Sequence, residues 1–272
     1  MERLVETQKP FFRESGVGPS VICLHSNASS SSQWRALTTR IEKDFTVYAP
    51  DLYGAGKSPQ WPSNDVMSLA DEISLIDPIL GKASSPCALI GHSYGAAVAL
   101  VAALANPEKV RTLVLYEPTL FSLLIAEYPL TQDADGIRAV VNQAGRFLDS
   151  GDKNGAAECF IDYWATPGAW KNIPDSQKQQ IAESITNVRR WAHALFTEPT
   201  KLDAFRNLSI PILYMYGEQS TQSAHGVGRL LTKTLPNIEV VPFSTLGHMG
   251  PITNPDTVNN TIIEFLARKF VN

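Results

Sequence analysis

Cys87–Ala105 reads CALIGHSYGAAVALVAALA. Its first part, Cys87–Ile90, is a continuous apolar run of strand length, as expected of a strand covered on both faces of a parallel sheet. Its last part, Ala96–Ala105, is made of Ala, Val and Leu and is apolar all round, which predicts a buried helix. Between them lies Gly91-His92-Ser93-Tyr94-Gly95, a tight strand-to-helix turn with a serine at its tip. The flanking glycines lack the Cβ atoms that would collide there, and the strained backbone pushes the Ser93 hydroxyl outward.

The turn fits G-x-S-x-G, the nucleophile-elbow pattern. With Gly and Ser each near 7% of residues, the bare pattern arises by chance in roughly one chain in ten of this length. The apolar strand before it and the apolar helix after it give the match its weight.

The surrounding composition narrows the class. The chain has 272 residues, 44% hydrophobic and 18% charged, with a net charge of −4. A chain of that length holds one large α/β domain or two small ones. The negative balance argues against nucleic acid or an anionic membrane surface as a partner. Cys23, Cys87 and Cys159 have no metal-ligand spacing, and an odd count without a framework suits a reducing compartment. The opening MERLVETQKPFF has no apolar core of a secretory signal. The longest apolar helical run, Ala96–Ala105, is too short to span a bilayer. These features predict a cytoplasmic protein.

Outward from the elbow, strands and helices alternate. Strands are predicted at Phe11–Glu14 (an antiparallel edge), Ser20–Ser26, Phe45–Pro50, Thr112–Tyr116, Pro211–Tyr216 and Glu239–Phe243. Helices are predicted at Gln33–Glu42 with Ser31 or Ser32 as N-cap, at Ser68–Leu80 with Gly81 as stop, at Ala224–Leu235, and at Pro255–Phe270 with Asn254 as N-cap. Between Pro118 and Arg206 the strand signal vanishes, and helical periodicity takes over at Ile137–Leu148, Gly155–Trp164 and Ser176–Leu195. This pattern predicts a doubly wound, mostly parallel sheet. Residues 1–117 and 207–272 form its core, and residues 118–206 form an inserted helical cap over the carboxyl ends of the strands, where ligands of such sheets bind.

A serine hydroxyl needs a base, the base needs an orienting carboxylate, and the developing oxyanion needs donors. The candidate base is His248, in the loop Leu246-Gly247-His248-Met249-Gly250 after the last strand. With LHSN after the second strand, DLYGAGKS after the third, GHSYG, and GHM before the last helix, the chain resembles α/β-hydrolase-fold serine hydrolases with a helical cap. The resemblance covers nearly the whole length.

Most members of that family carry an aspartate a few residues after the strand matching PILYMY. Here the matching stretch is Gly217-Glu218-Gln219-Ser220, and Ser220 stands at the aspartate position. Some members place the acid after the strand that follows the elbow helix, which here is Glu117. A buried glutamate in an otherwise apolar run needs a partner, so Glu117 is the leading candidate acid, with Glu218 and a Ser–His dyad as alternatives. The resemblance further implies the N–H groups of Tyr94 and Asn27 as oxyanion donors. Ser26 replaces the family's loop glycine, its hydroxyl either adding a third donor or simply packing. His25, His92 and the DLYGAGKS loop read as structural.

Related dehalogenases and epoxide hydrolases carry an aspartate where Ser93 stands, so the serine points to acyl transfer. No metal-binding cluster and no phosphate-cradling loop occurs, and no cofactor is expected. The aromatic residues of the cap imply a largely apolar small-molecule substrate. Arg189, Arg190 and His193 of the cap read as a solvated helix face. Three readings remain: hydrolysis of a small or medium apolar carboxylic ester, hydrolysis of a carbon–carbon bond next to a ketone, and a non-catalytic ligand receptor on a hydrolase fold.

Overall fold

The structure, a computed structural model, describes residues 8–62 and 66–270. Residues 1–7 of the stretch read for a secretory signal lie outside that set, as do residues 63–65. Among the described residues, seven strands form one sheet in the order β1-β3-β2-β4-β5-β6-β7. They are β1 (Phe12–Ser15), β2 (Ser20–Leu24), β3 (Thr46–Pro50), β4 (Cys87–His92), β5 (Val110–Tyr116), β6 (Ile212–Gly217) and β7 (Ile238–Phe243). Only β1 runs antiparallel, against β3; every other pairing is parallel. Each predicted strand is present to within a few residues.

The helices are α1 (Arg35–Ile41), α2 (Leu69–Lys82), α3 (Tyr94–Ala105), α4 (Ser122–Glu127), α5 (Asp135–Asp149), α6 (Lys153–Trp164), α7 (Asp175–Ile185), α8 (Val188–Thr197), α9 (Gln222–Thr234), α10 (Gly250–Thr253) and α11 (Pro255–Phe270). No described helix is long and apolar enough to cross a membrane.

Side chains of a strand point alternately to opposite faces, and the sheet sorts its residues accordingly. Val21, Cys23, Val47, Ala88, Ile90, Val114 and Leu213 pack with Trp34, Leu37 and Ile41 at α1 and with Val258, Ile262 and Phe265 of α11. The intervening Ile22, Leu24, Leu89, Leu113, Leu115 and Ile212 pack with α3, α2 and α9 on the other face. The two central strands β2 and β4 are buried along their whole length. Parallel strands covered by helices on both sides require such unbroken apolar runs.

Several local expectations shift. The first turn after the serine-rich loop is 3₁₀, over Ser31–Trp34, and its N-cap is Ser30, whose side chain accepts from Ser32 N–H. Gly81 lies inside α2, which continues to Lys82. The chain turns away only at Ala83, where Ser84 N–H donates to Ser20 Oγ at 2.8 Å and Ser20 N–H donates back to Ser84 Oγ at 3.1 Å. These contacts, not a glycine cap, end the helix. The single helix expected over Ser176–Leu195 is two, α7 and α8. At the break, Thr186 Oγ1 donates to Glu183 O at 2.6 Å, while Asn187 Nδ2 donates to Ser184 O and to Gln60 Oε1. Such side-chain bonds compete with the helical ladder.

Helices α4 to α8 all fall between β5 and β6. Several of their side chains close over the carboxyl end of β4, where Ser93 sits.

Candidate active site

The site is built from the turns at the carboxyl ends of β4, β5 and β6 and the loop after β7. Ser93 links β4 to α3 with φ 56° and ψ −115°, a left-handed value that a non-glycine residue adopts only under constraint. The constraint is visible. Ser93 N–H donates to Tyr116 O at 2.9 Å, tying the elbow to the end of β5. A Cβ on Gly91 would lie 2.4 Å from Ala96 Cα, and one on Gly95 would lie 2.4 Å from Leu24 O. The glycines therefore permit the sharp turn and its close approach to β2.

The structure brings Ser93, His248 and Glu117 into one line. Ser93 Oγ lies 2.8 Å from His248 Nε2, and His248 Nδ1 lies 2.6 Å from Glu117 Oε2. A carboxylate only accepts, so Nδ1–H donates to Glu117 and Nε2 is left to accept from the serine. All three residues are buried.

Glu117 is the first residue beyond β5 and also has a positive φ, 44°. Its carboxylate accepts Gly217 N–H at 2.7 Å on Oε1 and the Ser220 hydroxyl at 2.6 Å on Oε2, in addition to His248. A buried carboxylate demands such compensation. The turn after β6 thus faces Glu117 with hydrogen-bond donors, one of them from Ser220. Glu218, the alternative acid, is exposed, and its N–H is engaged by Phe243 O.

The loops on either side are cross-tied. His92 Nε2 lies 2.8 Å from His248 O. Burial pushes the His92 imidazole well below its usual range, so the ring is neutral. Because a carbonyl only accepts, Nε2–H donates to it. His92 Nδ1 then accepts from Gln33 Nε2 at 3.2 Å, and Gln33 Oε1 accepts Ser26 N–H at 3.1 Å and Ser26 Oγ–H at 3.0 Å. Tyr116 OH adds a 2.8 Å bond to Gly247 O. His25 donates from Nδ1 to Ser26 O and accepts Leu52 N–H on Nε2. His25 and His92 both bond to loop backbone. Ser26 engages Gln33 with both its N–H and its hydroxyl, so the hydroxyl packs and ties rather than standing free for an oxyanion.

Beside this line, Asp51 closes the DLYGAGKS loop by accepting Ser31 N–H at 2.6 Å and Lys57 N–H at 2.8 Å. Glu72 of α2 is fully buried, accepting Tyr53 N–H at 3.1 Å and the Tyr94 hydroxyl at 3.2 Å. Burial pushes its carboxyl up to about 8.

A cavity opens over Ser93. It is lined by Ser26, Asn27, Thr119 and His248 at its base and by Phe121, Ile137, Val141, Phe160, Ile161, Trp164, Val188, Trp191, Leu195 and Phe196 above. Trp164 lies against His248, with ring centroids 4.1 Å apart and planes tilted by 32°. Of the other aromatic residues between Pro118 and Arg206, Tyr128, Phe147, Tyr163 and Trp170 are not among the lining residues. Arg189 pairs with Asp149 at the surface and Arg190 with Asn187. His193 is not among the lining residues.

Sequence reasoning passed over Ser220 as a partner for Glu117, the Ser26–Gln33–His92 tie, the contact of Trp164 with His248, and Thr119 as a lining residue. Only Ser220 carried a signal, its place where the acid was expected. The others become visible only when distant segments meet.

The comparisons with known proteins agree with this architecture. A model of the alpha/beta hydrolase fold matches residues 19–255. The chain is 27% identical over 270 residues to 2-(acetamidomethylene)succinate hydrolase of Mesorhizobium japonicum, covering 93% of this chain and 90% of the relative. It is 22% identical to pimeloyl-[acyl-carrier protein] methyl ester esterase of Aliivibrio fischeri, covering 96% and 98%. Among solved structures, a thermophilic esterase from Thermogutta terrifontis superposes with TM-score 0.75 at 23% identity, covering 96% of this chain and 93% of that one. MenH from S. aureus superposes with TM-score 0.75 at 19% identity, covering 96% and 98%. Matched from the start of β2 to the start of α11, this chain belongs to the alpha/beta hydrolase fold family.

Proposed function

We propose that the chain is a serine hydrolase that cleaves a small or medium apolar carboxylic ester through an acyl-enzyme. The observation that carries this reading is the buried Ser93–His248–Glu117 line at the floor of an apolar cavity. In this reading Ser93 Oγ attacks the carbonyl carbon while His248 Nε2 takes its proton. Glu117 orients the ring and balances the charge of the imidazolium. The tetrahedral oxyanion rests on the N–H groups of Tyr94 and Asn27. His248 then hands its proton to the departing alcohol, and a water repeats the sequence on the acyl-enzyme.

Trp164 fits the same reading. Its ring face lies against the imidazole at 4.1 Å between centroids, where a π-face favours a cation. Residues 118–206 act as the cap that supplies this indole, on a core formed by residues 1–117 and 207–272. Cleavage of a carbon–carbon bond beside a ketone would use the same residues. Thr119 lines the cavity, and its buried hydroxyl has no partner among the described residues; this favours keeping a second reading, since such a substrate carries a second oxygen near the scissile bond.

The test is labelling with a fluorophosphonate probe, followed by a panel of acyl esters and vinylogous diketones. Adduct on Ser93, lost in Ser93→Ala and accompanied by ester turnover, is the expected result. A wild-type protein that takes up no probe and turns over nothing would overturn the hydrolase reading and favour the non-catalytic receptor.

A further inference from the structure

The cavity over Ser93 is apolar with few exceptions, and among those Thr119 stands apart. Its side chain is buried, at 1% exposure, and lines the cavity beside Ser93. Among the described residues its Oγ1 has no hydrogen-bond partner. The hydroxyls of the other serine and threonine residues that line the cavity are engaged: Ser93 with His248 and Ser26 with Gln33. Both ring nitrogens of His248 are engaged as well.

The backbone holds Thr119 in this place. It follows Glu117-Pro118 at the end of β5, and proline fixes its own φ. Thr119 N–H donates to Ser93 O at 3.4 Å, and Thr119 O accepts Phe121 N–H at 2.9 Å. The hydroxyl is therefore carried on a segment bonded directly to the nucleophile's own backbone. No Lys, Arg, Asp or Glu is among the lining residues, so the part of a substrate inside the cavity is uncharged; a carboxylate or phosphate there would be buried without a counter-ion.

We infer that Thr119 Oγ1–H donates to an oxygen of the substrate close to the scissile carbonyl. The substrate class is then an uncharged, mostly apolar ester that carries an ether, keto or hydroxyl oxygen near that carbonyl, rather than a plain alkyl ester. This inference rests on the serine-hydrolase reading and narrows it. A buried hydroxyl left unpaired is costly. A site built to hydrogen-bond a substrate group also rejects an analogue lacking that group more sharply than an apolar pocket resolves a methylene.

Matched ester pairs that differ by one CH₂→O exchange test it. p-Nitrophenyl methoxyacetate against p-nitrophenyl butyrate probes the acyl arm. 2-Methoxyethyl butyrate against butyl butyrate probes the alcohol arm. The readout is the kcat/KM ratio of oxygenated to plain ester, which removes the intrinsic reactivity of each pair once variants are compared. Thr119→Val, near-isosteric and without the hydroxyl, lowers that ratio about tenfold for at least one pair. Thr119→Ser, which restores the hydroxyl, keeps it within a factor of about two of wild type. If neither pair shifts in Thr119→Val, the hydroxyl does not meet the substrate oxygen and the inference is overturned. Should Thr119→Val fold poorly, Thr119→Ala read against Thr119→Ser gives the same comparison. Fluorophosphonate labelling of the wild type separates the two possible failures. Labelled enzyme with unshifted ratios removes only the role of Thr119, whereas unlabelled and inert wild type removes the hydrolase reading with it.

Discussion

The turns after β5 and β6 lie side by side at the carboxyl edge of the sheet and carry opposite chemistry. The first supplies a carboxylate, Glu117. The second supplies donors to it, Gly217 N–H and the Ser220 hydroxyl. Family resemblance places the acid on the second turn, and at Ser220 that acid is missing. A carboxylate on either turn faces the space between them, so moving it across one strand leaves His248 in reach. The move also fixes what may occupy the vacated position. A second carboxylate there would face Glu117 at hydrogen-bond distance, and two like charges in a buried site disfavour each other. A serine there removes the repulsion and adds a bond.

The largest effect should come from breaking the first turn. Glu117→Gln should lower kcat by about 10³–10⁴-fold, because the amide can present its NH₂ to His248 Nδ1 and favour the wrong tautomer. Glu218→Gln should stay within about twofold of wild type, since that side chain is exposed. Steady-state kinetics of the two variants decides between the carboxylates: near-normal turnover of Glu117→Gln beside a crippled Glu218→Gln would reverse the assignment.

A smaller effect should follow from the second turn. Ser220→Ala removes one donor from Glu117 and should cost about five- to twentyfold in kcat/KM. Ser220→Asp in the otherwise wild-type chain should cost more than Ser220→Ala. In the Glu117→Gln background, however, Ser220→Asp should recover at least about tenfold of the lost rate. Recovery would show that the two turns are interchangeable as sources of the acid. Its absence would show that the backbone at Glu117, with φ 44°, is part of the aim.

The last effect is on stability rather than on rate, and it concerns a second buried carboxyl. Glu72 is fully buried, and among the described residues its carboxyl accepts Tyr53 N–H and the Tyr94 hydroxyl. Burial therefore pushes Glu72 up to about 8, from an ordinary 4.5. The folded chain holds this proton where the unfolded chain has released it. Stability tied to Glu72 is thus fully present below about 4.5 and is lost as the pH rises through about 8. Glu72→Gln should flatten the fall of unfolding free energy across that window by about 1.4 kcal/mol per pH unit. Urea titrations at intervals across the window measure it; an unchanged slope would mean that Glu72 is ionised in the folded protein.

Much of the fold was legible because parallel strands covered on both faces must be unbroken apolar runs, and this chain has several of them. The elbow was legible because its glycines are needed for steric reasons, as the 2.4 Å approaches at Gly91 and Gly95 make plain. The helical block was read less well. The split between α7 and α8 depends on Asn187, whose side chain bonds Gln60 far away in sequence. A periodicity count is blind to such a partner.

By itself the sequence determined the order of the strands, the elbow around Ser93, the histidine after the last strand, and the absence of an aspartate at Ser220. These are local properties: apolar period, glycine sterics, residue identity. Only the tertiary structure decided that Glu117, not Glu218, lies against His248, that Ser220 and Gly217 hold it there, that Gln33 ties the loop of Ser26 to the loop of His248, and that Trp164 lies over the imidazole. Apart from the short Ser26–Gln33 step, these contacts join segments separated by tens of residues or more in the chain. Their geometry follows from how the strand ends are staggered and how the helices fold back over them, which no local pattern encodes.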